Sequence, residues 1–247
     1  MRISFTILGA LFLSFFIESE SPKTHIQQES TSIYRNAVIS GTVTLPPASS
    51  TSNRRFRGSA YRNRGGNSAS EQSGSSSNRF IKTVVSAHPT SYTITDLPIS
   101  SSVIIGQENA EFIPPITPVT VGSTVQFVNN DSFYHNVFSL TPGAKFNIGR
   151  RPTGDVYSKE VPPTKWKVSG LGPIDLFCDI HSQMNAVILS LDTPYFTTVN
   201  EDGTYSLGDL PEGTYELRVY NKDFELFTQK ITVAESEQYE VNFNLTN

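Results

Sequence analysis

The sequence contains few residues that bind metals or form disulfides. Its 247 residues include one cysteine, two methionines, one tryptophan and four histidines. Because Cys178 is the only cysteine, the chain cannot form an internal disulfide. The same count excludes a c-type haem motif, C-x-x-C-H, and a dinuclear copper site, which needs two thiolates. It also disfavours structural zinc, which is bound by short pairs of cysteines and histidines.

Charged residues are also scarce, at 17% of the chain, and the net charge is −4. A nucleic-acid-binding protein is expected to carry clustered positive charge, so the chain as a whole does not fit that class. Hydrophobic residues make up 37% of the chain, which provides enough apolar surface for a packed core. Phenylalanine (16) and tyrosine (10) suit half-buried strands, so the composition predicts an all-β protein of one or two domains.

Residues 1–21 have the layout of a signal peptide. Arg2 is followed by the apolar run Ile3–Ile17 and then by the small and acidic stretch Glu18–Ser21. The run is too short to cross a membrane, which takes about 20 apolar residues. We therefore expect an exported protein with no membrane span in its mature form, periplasmic or released outside the cell. An uncleaved anchor is the alternative.

The single cysteine belongs to a short motif with two other metal-binding side chains. Cys178, His181 and Met184 follow one another at three-residue spacing, after the apolar, strand-like residues 174–177. His135 lies upstream, directly after an alternating strand pattern. Two imidazoles, one thiolate and a weak axial thioether form a blue-copper site, because soft sulfur donors select copper over harder cations. The predicted ligands of one copper ion are therefore His135, Cys178, His181 and Met184.

Two catalytic alternatives fit the sequence less well. A multicopper oxidase adds a centre built from many histidines, often with histidines flanking the cysteine, whereas Phe177 and Asp179 flank Cys178. A Cys–His hydrolase needs an accessible thiolate and a separately placed base. His181, on the same short loop as Cys178, is better placed as a second ligand. We therefore expect no enzymatic activity.

The stretch from about Val103 to Leu191 resembles the cupredoxins, the plastocyanin and amicyanin superfamily. The matching segments are Phe112–Pro115, Val119–Phe127, Asn129, Asp131, His135–Val137 and the C-x-x-H-x-x-M loop, which is most similar to that of amicyanin. The resemblance implies a Greek-key β-sandwich that transfers electrons through the edge of the His181 ring. It also implies that Asn136 tethers the ligand loop by hydrogen bonding, a contact that affects metal affinity and potential.

From Thr197 onward, short alternating strands are separated by glycine-containing turns. The motifs D-G-x-Y at 202–205 and L-P-x-G-x-Y at 210–215 resemble the carboxypeptidase regulatory-like, or transthyretin-like, sandwich, a noncatalytic module. The opening G-x-V strand of that module is absent from this region, but a strand of this type stands at Val38–Leu45. We therefore expect a second, discontinuous small β-sandwich from residues 37–101 and 193–247, with the cupredoxin domain inserted at 102–192. The combination resembles exported bacterial proteins labelled methylamine-utilisation-like.

Residues 49–79 are rich in serine and arginine and have no apolar periodicity, which predicts a disordered insert. Its arginines are Arg54, Arg55, Arg57, Arg62, Arg64 and Arg79, against the single acid Glu71. The insert either binds an acidic partner, a surface polymer or a nucleic acid, or is a solvated loop. The solvated loop is the favoured interpretation. His25 and His88 have polar neighbours, and we expect both to be solvated.

Together these features predict an exported mononuclear type 1 copper protein that exchanges single electrons with a redox partner protein. Two other functions stay open. One is a periplasmic copper carrier or buffer, and the other is a surface-binding protein in which copper has a structural role.

Overall fold

The computed structural model describes residues 36–46, 76–164 and 166–246. Residues 76–79 of the predicted insert begin a 3-10 helix, and Arg79 donates to the carbonyl of Pro46 at 2.7 Å, so the prediction of disorder is wrong for this end of the insert. The predicted signal peptide at 1–21, His25 and residues 49–75 of the insert lie outside the described ranges. Within them, the chain forms 17 β-strands and one 3-10 helix, Ser76–Lys82. The predicted all-β fold class is therefore confirmed. None of the helical segments in these ranges has the length and apolar character required to span a bilayer.

The metal-ligand candidates belong to a β-sandwich built from the middle of the chain. Its strands are β3 (Val103–Glu108), β4 (Glu111–Ile113), β5 (Ile116–Thr120), β6 (Thr124–Asn129), β7 (Phe138–Ser139), β8 (Phe146–Asn147), β9 (Val156–Glu160), β10 (Leu171–Phe177) and β11 (Asn185–Leu191). One sheet has the order β4-β3-β6-β9 and the other β5-β11-β10-β7-β8. The core between them includes Phe127, Ile174 and Ile188, and it extends to Cys178 and Met184.

Strands from both ends of the described chain form the second β-sandwich. They are β1 (Ala37–Thr44), β2 (Thr83–Pro89), β12 (Phe196–Thr198), β13 (Thr204–Leu210), β14 (Gly213–Asn221), β15 (Phe227–Val233), β16 (Gln238–Glu240) and β17 (Phe243–Asn244). In one sheet β1 lies between β13 and β16 and also pairs with β17, and the other sheet has the order β12-β2-β14-β15. The early strands β1 and β2 thus pair with strands that follow the middle sandwich in sequence, in the C-terminal part of the chain.

The two sandwiches share a third hydrophobic core. It joins Val84 of β2 and Tyr220 of β14 to Leu171 of β10 and to Leu189 and Leu191 of β11. Strand β11 contributes alternate side chains to this core and to the core of the middle sandwich, and all its residues after Asn185 are buried. A one-residue shift of β11 would move side chains that fit one core into the other, so packing on both faces restrains its register.

His88 is buried, which corrects the expectation that it is solvated. It lies on β2 and is 6% exposed. Its Nε2 is 3.0 Å from Ser86 Oγ, and its Nδ1 is 3.1 Å from Oδ1 of Asp192, directly after β11. Burial lowers the pKa of His88, although the hydrogen bond to Asp192 acts in the opposite direction. In the sequence, Pro89 indicates a turn after His88. In the structure, Pro89 is the last residue of β2, an inner strand of its sheet.

The lowered pKa of His88 predicts a loss of stability in mild acid. The unfolded chain takes up a proton at His88 near pH 6.5, whereas the folded chain does so only at a lower pH. The free energy of unfolding therefore decreases as the pH falls below about 6.5. We expect His88→Gln to reduce this dependence in urea unfolding of the metal-free protein between about pH 7.5 and 5.5. An unchanged dependence in the variant would contradict the assignment.

Candidate metal centre

The loop Cys178–Met184 connects β10 to β11. These two strands pair antiparallel from Leu171↔Leu191 to Phe177↔Asn185, so the last pair of the ladder lies directly beside both ends of the loop. Inside the loop, the N–H of Met184 donates to the carbonyl oxygen of His181 at 3.0 Å. The ladder and this turn hydrogen bond therefore restrain the loop that carries three of the four predicted ligands.

His135 reaches the same place from the segment between β6 and β7. Its N–H donates to the carbonyl of Arg151 at 3.1 Å, and the N–H of Arg151 donates back to the carbonyl of His135 at 2.6 Å. His135 is 0% exposed and Cys178 is 3% exposed, whereas His181 is partly exposed. Of these three side chains, only His181 offers an edge to solvent.

The side chains of His135, Cys178 and His181 converge on one point. Cys178 Sγ is 3.9 Å from His135 Nδ1 and 3.8 Å from His181 Nδ1, and the two Nδ1 atoms are 3.0 Å apart. In the part of the chain that the structure describes, these three residues form a group that could hold a metal ion, because their ligand atoms all lie within 4.8 Å of one another.

Two of these three distances fit a bound metal ion. With bond lengths of about 2.0–2.1 Å to nitrogen and about 2.3 Å to sulfur, as in zinc sites, a trigonal ion separates nitrogen from sulfur by about 3.7 Å. The two observed sulfur–nitrogen distances are close to that value. The same geometry would separate the nitrogens by about 3.5 Å, about 0.5 Å more than the observed 3.0 Å, so the two imidazoles would have to move apart to hold an ion. One thiolate with two imidazoles is a donor set that suits copper.

Met184 lies at the end of the same loop and is 1% exposed. It belongs to the hydrophobic core that also contains Cys178. The thioether is therefore enclosed in the same sandwich as the His–Cys–His group. Its role as the axial ligand stays a prediction.

Asn136, expected to tether the ligand loop, is buried between the two ligand segments. Its Oδ1 accepts a hydrogen bond from the N–H of Asp179 at 2.8 Å. Because Asp179 follows Cys178 directly and Asn136 follows His135, this bond joins the segments of two ligands. A buried amide in this position limits relative movement of the imidazole and the thiolate.

Asp131 is the functional residue that sequence reasoning missed. Its Oδ2 lies 2.7 Å from Nε2 of His135, the ring nitrogen that faces away from Cys178. In the tautomer that carries its proton on Nε2, the Nε2–H group donates a hydrogen bond to this carboxylate, and Nδ1 keeps its lone pair for a metal ion. In the sequence, Asp131 was visible only as part of the cupredoxin-like pattern, because an aspartate four residues before a histidine has no specific meaning outside a helix.

A tight turn between β3 and β4 holds the Asp131 carboxylate. Both turn residues, Asn109 and Ala110, have positive φ values of 54° and 57°, as a two-residue type I′ hairpin requires. Their N–H groups donate to Asp131 at 2.7 Å and 3.0 Å. Burial opposes ionisation of Asp131, but the hydrogen bonds from Ala110, His135 and Asn109 outweigh it and lower the pKa of the carboxyl group. Asp131 is therefore an anion that orients the His135 ring.

Aromatic and aliphatic side chains surround the exposed edge of His181. The Phe133 ring lies 5.0 Å from the ring of His135 and 5.2 Å from that of His181. Phe133, Tyr134 and Ile180 are 42%, 57% and 38% exposed. Among the predicted ligands, His181 thus reaches the surface, and it does so at an apolar patch.

Comparison with known families finds one match in this chain. Residues 184–246 match the carboxypeptidase regulatory-like domain, which confirms that part of the resemblance read from the sequence. The match begins at Met184 and includes β11, which pairs with β10 and β5 of the middle sandwich. No curated protein matches the chain.

Among solved structures, the chain is similar to copper proteins. A Cu-containing nitrite reductase from Thermus scotoductus SA-01 is 22% identical at a TM-score of 0.32, over 43% of this chain and 26% of the reductase. A reduced amicyanin variant is 18% identical at a TM-score of 0.32, over 42% of this chain and 98% of amicyanin. A purple cupredoxin from Nitrosopumilus maritimus is 23% identical at a TM-score of 0.30, over 37% of this chain and 99% of that protein. The matched part therefore spans about a quarter of the reductase but nearly all of each small cupredoxin.

The contact between Asp131 and His135 predicts a measurable contribution to metal affinity. In Asp131→Asn, the amide nitrogen cannot accept one of the two turn N–H groups, and the negative charge behind the imidazole is lost. We expect the Kd for Cu(II), measured by competition with a chelator, to rise by about 10-fold or more. Glu160→Gln, which neutralises an exposed carboxylate of the same sandwich, is the control. Equal Kd values for the two variants would refute the role of Asp131.

Proposed function

We propose that this chain is an exported protein with one type 1 copper ion, and that it acts in one-electron transfer rather than as an enzyme. The observation that carries the proposal is the convergence of Cys178 Sγ with Nδ1 of His135 and His181, all within 4.8 Å of one another. Bound copper would supply a one-electron redox couple at this point. Met184 is proposed as the weak fourth donor.

The restraint of the ligands supports electron transfer. His135 is fixed by its backbone bridge to Arg151 and by Asp131, and the loop of Cys178 and His181 is fixed by the β10–β11 ladder and Asn136. A site that keeps its geometry in both oxidation states has a low reorganisation cost. These contacts keep the thiolate and both imidazoles in one arrangement, which is the property that electron transfer needs.

The exposure of the ligands supports a route for the electron. His135 and Cys178 are buried, so the partly exposed ring of His181 is the ligand through which electrons would enter or leave. The apolar patch of Phe133, Tyr134 and Ile180 around it is suited to close contact with a redox partner. Export to the periplasm or beyond is proposed from residues 1–21. An acidic partner for the arginines of residues 54–79 is proposed from the sequence, although Arg79 already donates to the carbonyl of Pro46 at 2.7 Å and lies over the ring of Phe224.

Substitution of the thiolate tests the copper proposal. We expect Cys178→Ser to lose the intense thiolate-to-copper charge-transfer band in the visible spectrum, because a hydroxyl group cannot replace the soft donor. Ser182→Ala changes an exposed residue of the same loop and serves as the control that keeps the band. A blue Cys178→Ser protein would show that the thiolate is not a ligand.

Substitution of the thioether tests the fourth ligand. Leucine has nearly the same volume as methionine, so Met184→Leu preserves the core at a cost of under about 1.5 kcal/mol. We expect the variant to bind copper with a raised reduction potential, because loss of the axial donor disfavours Cu(II). Gln183→Ala, beside Met184 and exposed, is the control for voltammetry. A lowered or unchanged potential in Met184→Leu would remove Met184 from the ligand set.

Metal exchange separates electron transfer from copper handling. An electron carrier is expected to keep its copper through repeated cycles of reduction by ascorbate and reoxidation in the presence of a competing chelator. Stoichiometric loss of copper to the chelator within the first cycle would instead favour a carrier or buffer.

A further inference from the structure

A cavity of about 340 Å³ lies beside the exposed edge of His181. Its walls are formed by Phe133, Tyr134, Arg150, Ile180 and His181. Small-molecule sites in proteins are concave, mostly apolar and about 300–1,000 Å³ in volume, with few polar groups that fix orientation. This cavity has the volume and lining of a site for one small ring compound.

The apolar part of the lining suits a planar ring. Phe133 and Tyr134 leave much of their aromatic surface in contact with water, and Ile180 adds an exposed aliphatic side chain. Aromatic rings gain stabilisation from offset or edge-to-face contacts in addition to the burial of their area. A flat aromatic molecule would cover these side chains and lie against the imidazole of His181.

Arg150 gives the cavity its charge preference. It is exposed, and no hydrogen bond or ion pair engages it among residues 36–46, 76–164 and 166–246. The adjacent Arg151 differs, because it donates to the carbonyl of Ile148 at 2.9 Å and to Asp155 at 3.3 Å. The lining contains no carboxylate. A guanidinium group with unused donors binds a carboxylate through two parallel hydrogen bonds.

We propose that this cavity binds a small aromatic carboxylate, with its ring on Phe133 and Tyr134 and its carboxylate on Arg150. The role of such a ligand as an electron donor or acceptor at His181 rests on the proposed function, but binding itself does not require copper. Arg150 selects the charge, and the aromatic walls select the ring.

The test is isothermal titration calorimetry on the purified full chain without metal, with 4-hydroxybenzoate as the probe. Its two comparison probes are 4-hydroxybenzamide, which has the ring without the charge, and acetate, which has the charge without the ring. We expect 4-hydroxybenzoate to bind once per chain and at least about fivefold more tightly than either of them. Copper stoichiometry is measured separately on the same preparation, so failure of ligand binding and failure of the copper proposal are distinguishable.

Two matched variants locate the binding. Arg150→Gln is expected to weaken 4-hydroxybenzoate binding by about fivefold or more, whereas binding of 4-hydroxybenzamide stays unchanged. Lys145→Gln removes the same charge from an exposed position outside the cavity lining and is expected to have no effect. Equal weakening in both variants, or equal binding of 4-hydroxybenzoate and acetate, would overturn the proposal. Absence of binding by all three probes would also overturn it and would leave the patch as a surface for protein contact alone.

Discussion

The antiparallel ladder between β10 and β11 is the constraint on which the metal centre depends. It runs from Leu171↔Leu191 to Phe177↔Asn185 and ends where the loop of Cys178, His181 and Met184 begins. A change of one residue in the register would turn the buried side chains of both strands to the opposite face. The loop ends therefore have one separation and one orientation, and only the short turn between them has to position the ligands.

The second sandwich strengthens this constraint because it covers the outer face of β11. Val84 and Tyr220 from β2 and β14 pack with Leu189 and Leu191 of β11, and His88 contacts Asp192 just beyond that strand. The second sandwich thus contributes to the position of the ligand loop, because its removal would expose alternate residues of β11, the strand that follows the loop. On the other side of the centre, the turn at Asn109 and Ala110 holds Asp131, which orients His135.

The sequence was informative where residues close in the chain act together. The spacing of Cys178, His181 and Met184 and the alternating strand patterns depend on local geometry, so the all-β class and these three ligand candidates could be predicted. His135, 43 residues before Cys178, was predicted from its place after a strand pattern and from the cupredoxin resemblance. The contacts that hold the His–Cys–His group in place could not be predicted, because Asp131 orients His135 only when the β3–β4 turn lies beside its carboxylate. Likewise, His88 lies on β2, which is buried between β12 and β14 in its sheet, and it contacts Asp192, 104 residues away. Local polarity and a following proline carry no information about such a long-range contact.

The most direct test of the account is electron paramagnetic resonance of the purified chain after addition of one equivalent of Cu(II). The proposed type 1 copper centre predicts a single species with narrow copper hyperfine splitting, which disappears on reduction with ascorbate and returns on reoxidation. A spectrum with the wide splitting of ordinary tetragonal Cu(II), or a signal that does not return after one cycle, would contradict a restrained thiolate–imidazole centre.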